Sequence, residues 1–423
     1  MSPSLAIALY YFLYIGTFGF WLPYFATYLT SIGLTPSQAT RIQALFPVAS
    51  LLTPPLIGWV ADWLRVRGRL LRWATTATAF SFLGFFLLAG HSRPVPPGGA
   101  HHPVAVPYVA LATLAFAFCR APLISLIDAT AHEYVRHHGG SYGRLRLWGS
   151  LGFLMAALAG GALTEHYGMD RILLVTALGL ALTTVCVWMP ALDDTASAAL
   201  ATSKDSPPSD ATPQPLAAGL ALLRTDDLWL LLAAVTVYQM AGASYDAAFS
   251  IHLLCLGFGP RFIGLAWSIG VLAEILLLAG SGAVIKRLGA ARLLPLALAT
   301  AAVRWSLLGR ASTAAAILAL QPLHGITFGW FYAAATTLIH ERSGGSHATS
   351  GQGWLAGALG LGSLLGMNWA GAILERAGGC TLYTVAAGLS ALATVLAAFY
   401  ARRVPRVLQS FPSEATVPGN GPS

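Results

Sequence analysis

Seven residues of this chain can carry charge in places where the neighbouring sequence is apolar: Arg120, Asp128, Arg146, Asp246, Glu274, Arg304 and His324. A charge placed in hydrocarbon costs about 2.5 to 3.5 kcal/mol by insertion measurements, so such residues line a pathway for a polar solute or an ion. Carboxylates and a histidine take up and release protons, while a guanidinium holds a carboxylate through two parallel hydrogen bonds. The chemistry on offer is binding and proton transfer. An enzyme in the membrane would need a nucleophile or a metal cluster, and the sequence shows neither. His132-Glu133 with His137-His138 lacks the H-E-x-x-H spacing of a zinc hydrolase, and no phosphate-binding G-x-x-x-x-G-K-[ST] run is present. No metal, cofactor or nucleotide is therefore expected, and the energy source would be an ion gradient.

The elements that position these charges must be membrane helices. Hydrophobic residues make up 56% of the 423, charged residues only 9%, and mean hydropathy is +0.67, whereas soluble chains carry about a quarter charged residues. This is the composition of an integral membrane protein. The first apolar run begins at Leu5 without a basic leader or a small-residue cleavage site, so helix 1 is expected to be retained. A window of about 20 residues, enough to cross roughly 30 Å of hydrocarbon, finds apolar segments near 5–29, 39–61, 70–90, 105–131, 142–164 and 171–189. Six more lie near 226–256, 260–285, 292–308, 313–338, 350–374 and 380–401. Between the sets runs a stretch rich in Ser, Pro and Asp, including Ser203-Lys204-Asp205-Ser206-Pro207-Pro208, that is too polar to fold alone. The expected plan is a six-helix unit over 1–190, a linker over 191–223, a second six-helix unit over 224–403 and a disordered tail over 404–423.

Loop charges give the orientation. With the N-terminus inside, basic loop residues divide 15 inside, from Arg65, Arg67, Arg69 and Arg72 through Arg402, Arg403 and Arg406, to 6 outside (Arg41, Arg93, Arg171, Arg261, Arg310 and Arg376). Both termini are expected in the cytoplasm, in a bacterial inner membrane. The net charge of +8 is spread over short loops as membrane-surface charge, with no basic module that would bind nucleic acid.

An internal repeat supports two halves. Gly58-Trp59-Val60-Ala61-Asp62 with Arg65, Arg67 and Arg69 follows helix 2, and Gly282-Ala283-Val284-Ile285-Lys286-Arg287 with Arg292 follows helix 8. The 58–69 loop resembles the signature of the major facilitator superfamily, with Gly58, Asp62 and Arg65 at its conformational positions. The second copy has Lys286 in place of the acidic residue. The resemblance implies an all-α integral membrane protein of twelve transmembrane helices in two six-helix bundles with pseudo-two-fold symmetry. The segments Tyr10-Tyr11-Phe12-Leu13-Tyr14, Tyr142-Gly143-Arg144-Leu145-Arg146-Leu147-Trp148-Gly149-Ser150 and Leu323-His324-Gly325-Ile326-Thr327-Phe328 resemble the 3-phenylpropionic acid transporter group. That group is itself similar to lactose-permease-type proton symporters.

The permease resemblance implies an ion pair of Asp128 with Arg146, an aromatic contact from Phe153 with Trp148 close by, and a proton-coupling group of Glu274, Arg304 and His324. Gln321 and Thr327 stand where that pattern has a lysine and the proton-carrying glutamate. From the residues alone, Arg120 and Asp128 lie eight apart and so near one helix face, and Arg146 could hold either Asp128 or a substrate carboxylate. The alternative is a structural Asp128–Arg146 pair locking helices 4 and 5. Glu274 leads for the proton, with Asp246 and His324 behind it; here the alternative is mutual neutralisation of Glu274 and Arg304. Helix 1 carries Tyr10, Tyr14, Phe18, Trp21, Phe25 and Tyr28 as a stripe, either a lipid-facing or interfacial belt or a binding wall including Tyr14 and Phe18. The resulting expectation is a monomeric proton symporter of a small organic substrate, an aromatic carboxylic acid such as phenylpropionate favoured. A sugar or nucleoside symporter and an efflux or antiport member are the alternatives.

Overall fold

The structure, a computed structural model, is described for residues 2–64, 66–90, 106–190, 192 and 227–403. Apart from Leu192, the expected linker and the tail lie outside them, as do Arg65 and the side-chain placement of Gly58 and Asp62. All described regular structure is helical. In the first half these are α1 (Pro3–Trp21), α2 (Phe25–Ser31), α3 (Pro36–Gln43), α4 (Leu45–Leu64), α5 (Arg67–Gly90), α6 (Val106–Arg120), α7 (Leu123–His138), α8 (Tyr142–Tyr167) and α9 (Arg171–Val187). In the second half come α10 (Leu228–Cys255), α11 (Pro260–Leu288), α12 (Ala290–Leu308), α13 (Ala314–Leu320), a π-helical turn at Gly325–Trp330 and α14 (Phe331–Arg403). Nine stretches among the described residues are long and apolar enough to cross a membrane. They confirm a multi-pass membrane protein.

Local sequence explains the ends and the breaks. Ser2 and Pro3 start α1, and a capping box of Thr35 and Gln38 with Pro36 at the first turn starts α3. Helix 4 of the sequence reading is α6 and α7, interrupted at Ala121–Pro122, where proline supplies no N–H. Intramembrane threonines such as Thr75, Thr78 and Thr183 bond the carbonyl one turn back, which removes the need for a distant partner. A straight α14 of 73 residues would run about 110 Å. It folds back instead: Gly378 has φ +76°, and the Arg342 Nε donates to the Tyr400 hydroxyl at 3.2 Å, placing residues 342 and 400 at one end.

The chain start, the flanks of the linker and Arg403 share one end of the bundle, where Arg403 pairs with Asp227 at 2.7 Å. At the opposite end the halves are fastened together. Glu165 on α8 pairs with Arg261 on α11 at 3.6 Å, the Arg261 guanidinium donates to His166 at 2.6 Å, and the Ser37 N–H donates to Glu375 at 3.1 Å. A Cβ on Gly161 would sit 2.7 Å from the Pro260 carbonyl, so backbones touch there. Among the described residues, the hydrogen bonds and the ion pair that cross between halves lie in this fastened part of the bundle, reaching no deeper than Ser268 to the Leu154 carbonyl.

Candidate functional site

In the first half the site is built on α1. Its contact with α8 is made by glycines: a Cβ on Gly152 would strike the Phe12 carbonyl, and one on Gly19 the Phe153 carbonyl. Such close approach is how membrane helices gain packing energy without a hydrophobic driving force. Antiparallel to α1, α6 and α7 set Arg120 against Phe18 and Asp128 against Tyr11, so the two charges do share the face expected of them. The aromatic stripe lies inside the bundle and not on lipid: Tyr10, Tyr14, Trp21, Phe25 and Tyr28 are all buried. Trp21 stacks on Phe25 at 3.8 Å and meets Phe46, Phe82, Phe85 and Phe116 edge-on.

The Arg120 guanidinium lies 3.8 Å from the centre of the Phe18 ring and 5.2 Å from that of Phe46. Tyr14 donates to the Arg120 backbone carbonyl at 3.2 Å. No carboxylate contacts Arg120 among the described residues, and its Nε is buried without a partner. Asp128 departs from expectation. It forms no ion pair with Arg146; its Oδ1 instead accepts from the Tyr11 hydroxyl at 2.5 Å, with Tyr142 within electrostatic range of it. Arg146 lies over the Tyr11 ring at 5.7 Å, so the phenol stands between the two charges. Phe153 is buried on the α1 side of α8, while Trp148 is half exposed and its ring meets that of Phe12 edge-on at 6.5 Å.

The second half gathers its charges around α13 and the π turn. Gly325 lets this segment reach α11, since a Cβ there would lie 2.5 Å from the Ala273 carbonyl, and Gly270 faces His324 in the same contact. A π turn directly after His324 re-aims the side chains that follow, a common device at functional sites. Glu274 and Arg304 do not meet directly, as the sequence suggested; His324 stands between them. Its Nε2 lies 3.6 Å from Glu274 Oε2, and its Nδ1 lies 3.1 Å from Arg304 Nη1. A guanidinium only donates, so Nδ1 must accept, and the single ring proton sits on Nε2, aimed at the carboxylate. Arg304, 1% exposed, also donates to Thr327 Oγ1 at 3.1 Å and to Gln321 Oε1 at 3.3 Å, and its guanidinium lies 4.6 Å from the Tyr245 ring. Tyr245 donates to the same Gln321 oxygen at 3.1 Å, and Tyr238 to the Thr327 carbonyl. Asp246, next to Tyr245, has no hydrogen bond or ion pair among the described residues and lies within electrostatic range of Arg304 and Glu274.

Sequence reasoning overlooked the tyrosines. Tyr11 holds Asp128, and Tyr245 and Tyr238 brace Gln321 and Thr327, which in turn hold Arg304; a hydroxyl on one helix and a charge on another give no signal that a linear reading can pair. Gln321 and Thr327, noted as departures from a pattern, are the acceptors that hold Arg304.

Two apolar helical bundles, each holding a cluster of buried charges and fastened to each other at one end, have the architecture of a membrane transporter. The chain belongs to the MFS_1 like family, whose model matches residues 4–385. It is 29% identical over 346 residues to the probable 3-phenylpropionic acid transporter of Escherichia coli K12, covering 80% of this chain and 82% of that one. Maltose permease of Geobacillus stearothermophilus is 31% identical over 307 residues, covering 70% and 68%. Among solved structures, the nucleoside transporter NupG superposes with a TM-score of 0.74 at 16% identity, over 95% of this chain and 99% of that one. The protein is thus a membrane transporter of the major facilitator type and not an enzyme.

Proposed function

We propose that this protein is a proton-coupled symporter of a small aromatic carboxylic acid, working by alternating access. The observation that carries the reading is Arg120: a guanidinium inside the bundle, with no carboxylate partner, resting on the face of Phe18 beside Phe46. A cation so placed needs an anion, and the rings beside it suit an aromatic body. A curated relative that shares 29% identity over 80% of this chain, a probable 3-phenylpropionic acid transporter, agrees with that chemistry. In the second half, Glu274, His324 and Arg304 form a connected group able to take up a proton, with Asp246 beside it, and Gly58, Asp62 and Arg65 would act in the conformational change.

By the loop charges, the end with the termini faces the cytoplasm of a bacterial inner membrane, and the fastened end faces out. The conformation is then closed outward. A sugar or nucleoside substrate is the second reading, favoured by the hydrogen-bonded Tyr11–Asp128 pair and by the maltose permease match. Uptake in proteoliposomes under an imposed pH gradient, with phenylpropionate, maltose and a nucleoside in separate arms, decides between them. Phenylpropionate accumulation that is lost in Arg120→Gln and only weakened in Arg120→Lys is the expected result. Accumulation of a neutral substrate alone, unaffected at Arg120, overturns the carboxylate reading.

A further inference from the structure

A second set of buried polar groups in the C-terminal half is left unused by substrate binding. His252, three residues before the end of α10, is 5% exposed, and its Nε2 has no partner. It packs against Gly379 at the fold-back of α14 and lies 5.2 Å, edge to face, from the ring of Tyr383. Tyr383 is fully buried with an unpartnered hydroxyl, and its ring stacks at 6.0 Å on Trp305, which is 2% exposed with an unpartnered Nε1. Trp305 in turn lies 4.6 Å from the Arg304 guanidinium, whose Nε is also buried and unpartnered. Four consecutive neighbours thus each carry one unsatisfied polar atom, from the fastened end of the bundle to the proton-coupling group.

Buried polar atoms in proteins are satisfied by protein or by ordered water, and four side chains in succession that each carry such an atom offer ordered water a connected set of partners. We propose that α10, α12 and α14 enclose a hydrated proton path from the fastened end, through His252 and Tyr383, to Arg304 and its neighbouring carboxylates Asp246 and Glu274. Trp305 and Arg304 only donate, so they orient water oxygens; His252 and Tyr383 both accept and donate, so they pass a proton on. One proton enters at His252. Along the chain each O–H or N–H bond breaks as the next forms, and a carboxylate ends protonated with no net change elsewhere. The path lies within one half, so protons from that side reach the coupling group even while the contacts of Glu165, Arg261 and Glu375 close the route between halves.

This inference rests on the symport reading, and two measurements separate their failures. The first is hydroxyl-radical footprinting of the full chain in proteoliposomes, read by mass spectrometry at Tyr383 and Trp305 against Trp21, which is equally buried but packed among carbon rings. Labelling several-fold above Trp21, falling in His252→Phe, is expected; labelling equal to Trp21 overturns the path whether or not symport holds. The second compares gradient-driven uptake with substrate counterflow at equal pH in Tyr383→Phe, which removes one oxygen. Slower uptake with unchanged counterflow is expected. Equal rates in both assays overturn the path, and wild-type uptake indifferent to the gradient overturns the symport reading and the path's role together.

Discussion

Gly325→Ala tests whether the approach of α13 and the π turn to α11 is what couples His324 to Glu274. The added Cβ would lie 2.5 Å from the Ala273 carbonyl oxygen, 2.7 Å from its carbon and 2.8 Å from Leu277 Cδ1, where ordinary contact begins at 3.4 Å. Two of these neighbours are backbone and cannot rotate away, so the segments must part by about 1 Å, at an overpacking cost of about 1–3 kcal/mol. His324 precedes Gly325 directly. Its Nε2, 3.6 Å from Glu274 Oε2, would move to about 4.5 Å, past the roughly 4 Å limit of a charged contact. Displacements of that size at a reacting group cost about a hundredfold. Uptake under a pH gradient should fall by roughly that factor in proteoliposomes, with the protein still inserted and folded by thermal-shift assay. The control is Gly280→Ala on α11, where an added Cβ meets nothing within 4 Å. Gly325→Ala transporting as well as Gly280→Ala would refute the reasoning.

Three further outcomes follow from the same geometry. Glu274→Gln keeps a polar group of the same size beside His324 but no longer carries a proton, so substrate counterflow should persist while accumulation against a gradient disappears; retained accumulation would remove Glu274 from the coupling. Tyr11→Phe removes the donor to Asp128, so it should lower stability by about 1.5–3 kcal/mol, the range for a hydrogen bond to a charged group; an unchanged melting curve would show the 2.5 Å contact to be energetically idle. Arg261→Ala removes a half-exposed ion pair worth about 0.2–1 kcal/mol, which shifts the ratio of closed to open at the fastened end by at most about fivefold. Spin-label distances between the α8–α9 and α10–α11 loops would report that shift, and an unmoved distribution would count against the pair as a latch.

The charges themselves were legible in the sequence because hydrocarbon makes each of them costly: Arg120, Asp128, Arg146, Asp246, Glu274, Arg304 and His324 all stand out against apolar runs. The helical, membrane-spanning class followed from composition, and the family resemblance from the segments at 10–14, 142–150 and 323–328 was confirmed by the MFS_1 like match. The pairings were not legible. A linear reading set Asp128 against Arg146 and Glu274 against Arg304, since opposite charges on neighbouring helices attract. Packing inserted Tyr11 into the first pair and His324 into the second, and it turned Gln321 and Thr327 into acceptors for Arg304. The aromatic stripe of α1 had a period that sequence could read and a direction that it could not; contact with α5, α6 and α8 turned it inward.

Sequence by itself thus determined which groups are charged, that they lie within the membrane, and that helices carry them, because transfer free energy and helical period are properties of short segments. Only the tertiary structure decided which charge meets which partner. Partners 17 to 117 residues apart come together through glycine contacts and a π turn, whose positions depend on every neighbouring helix at once.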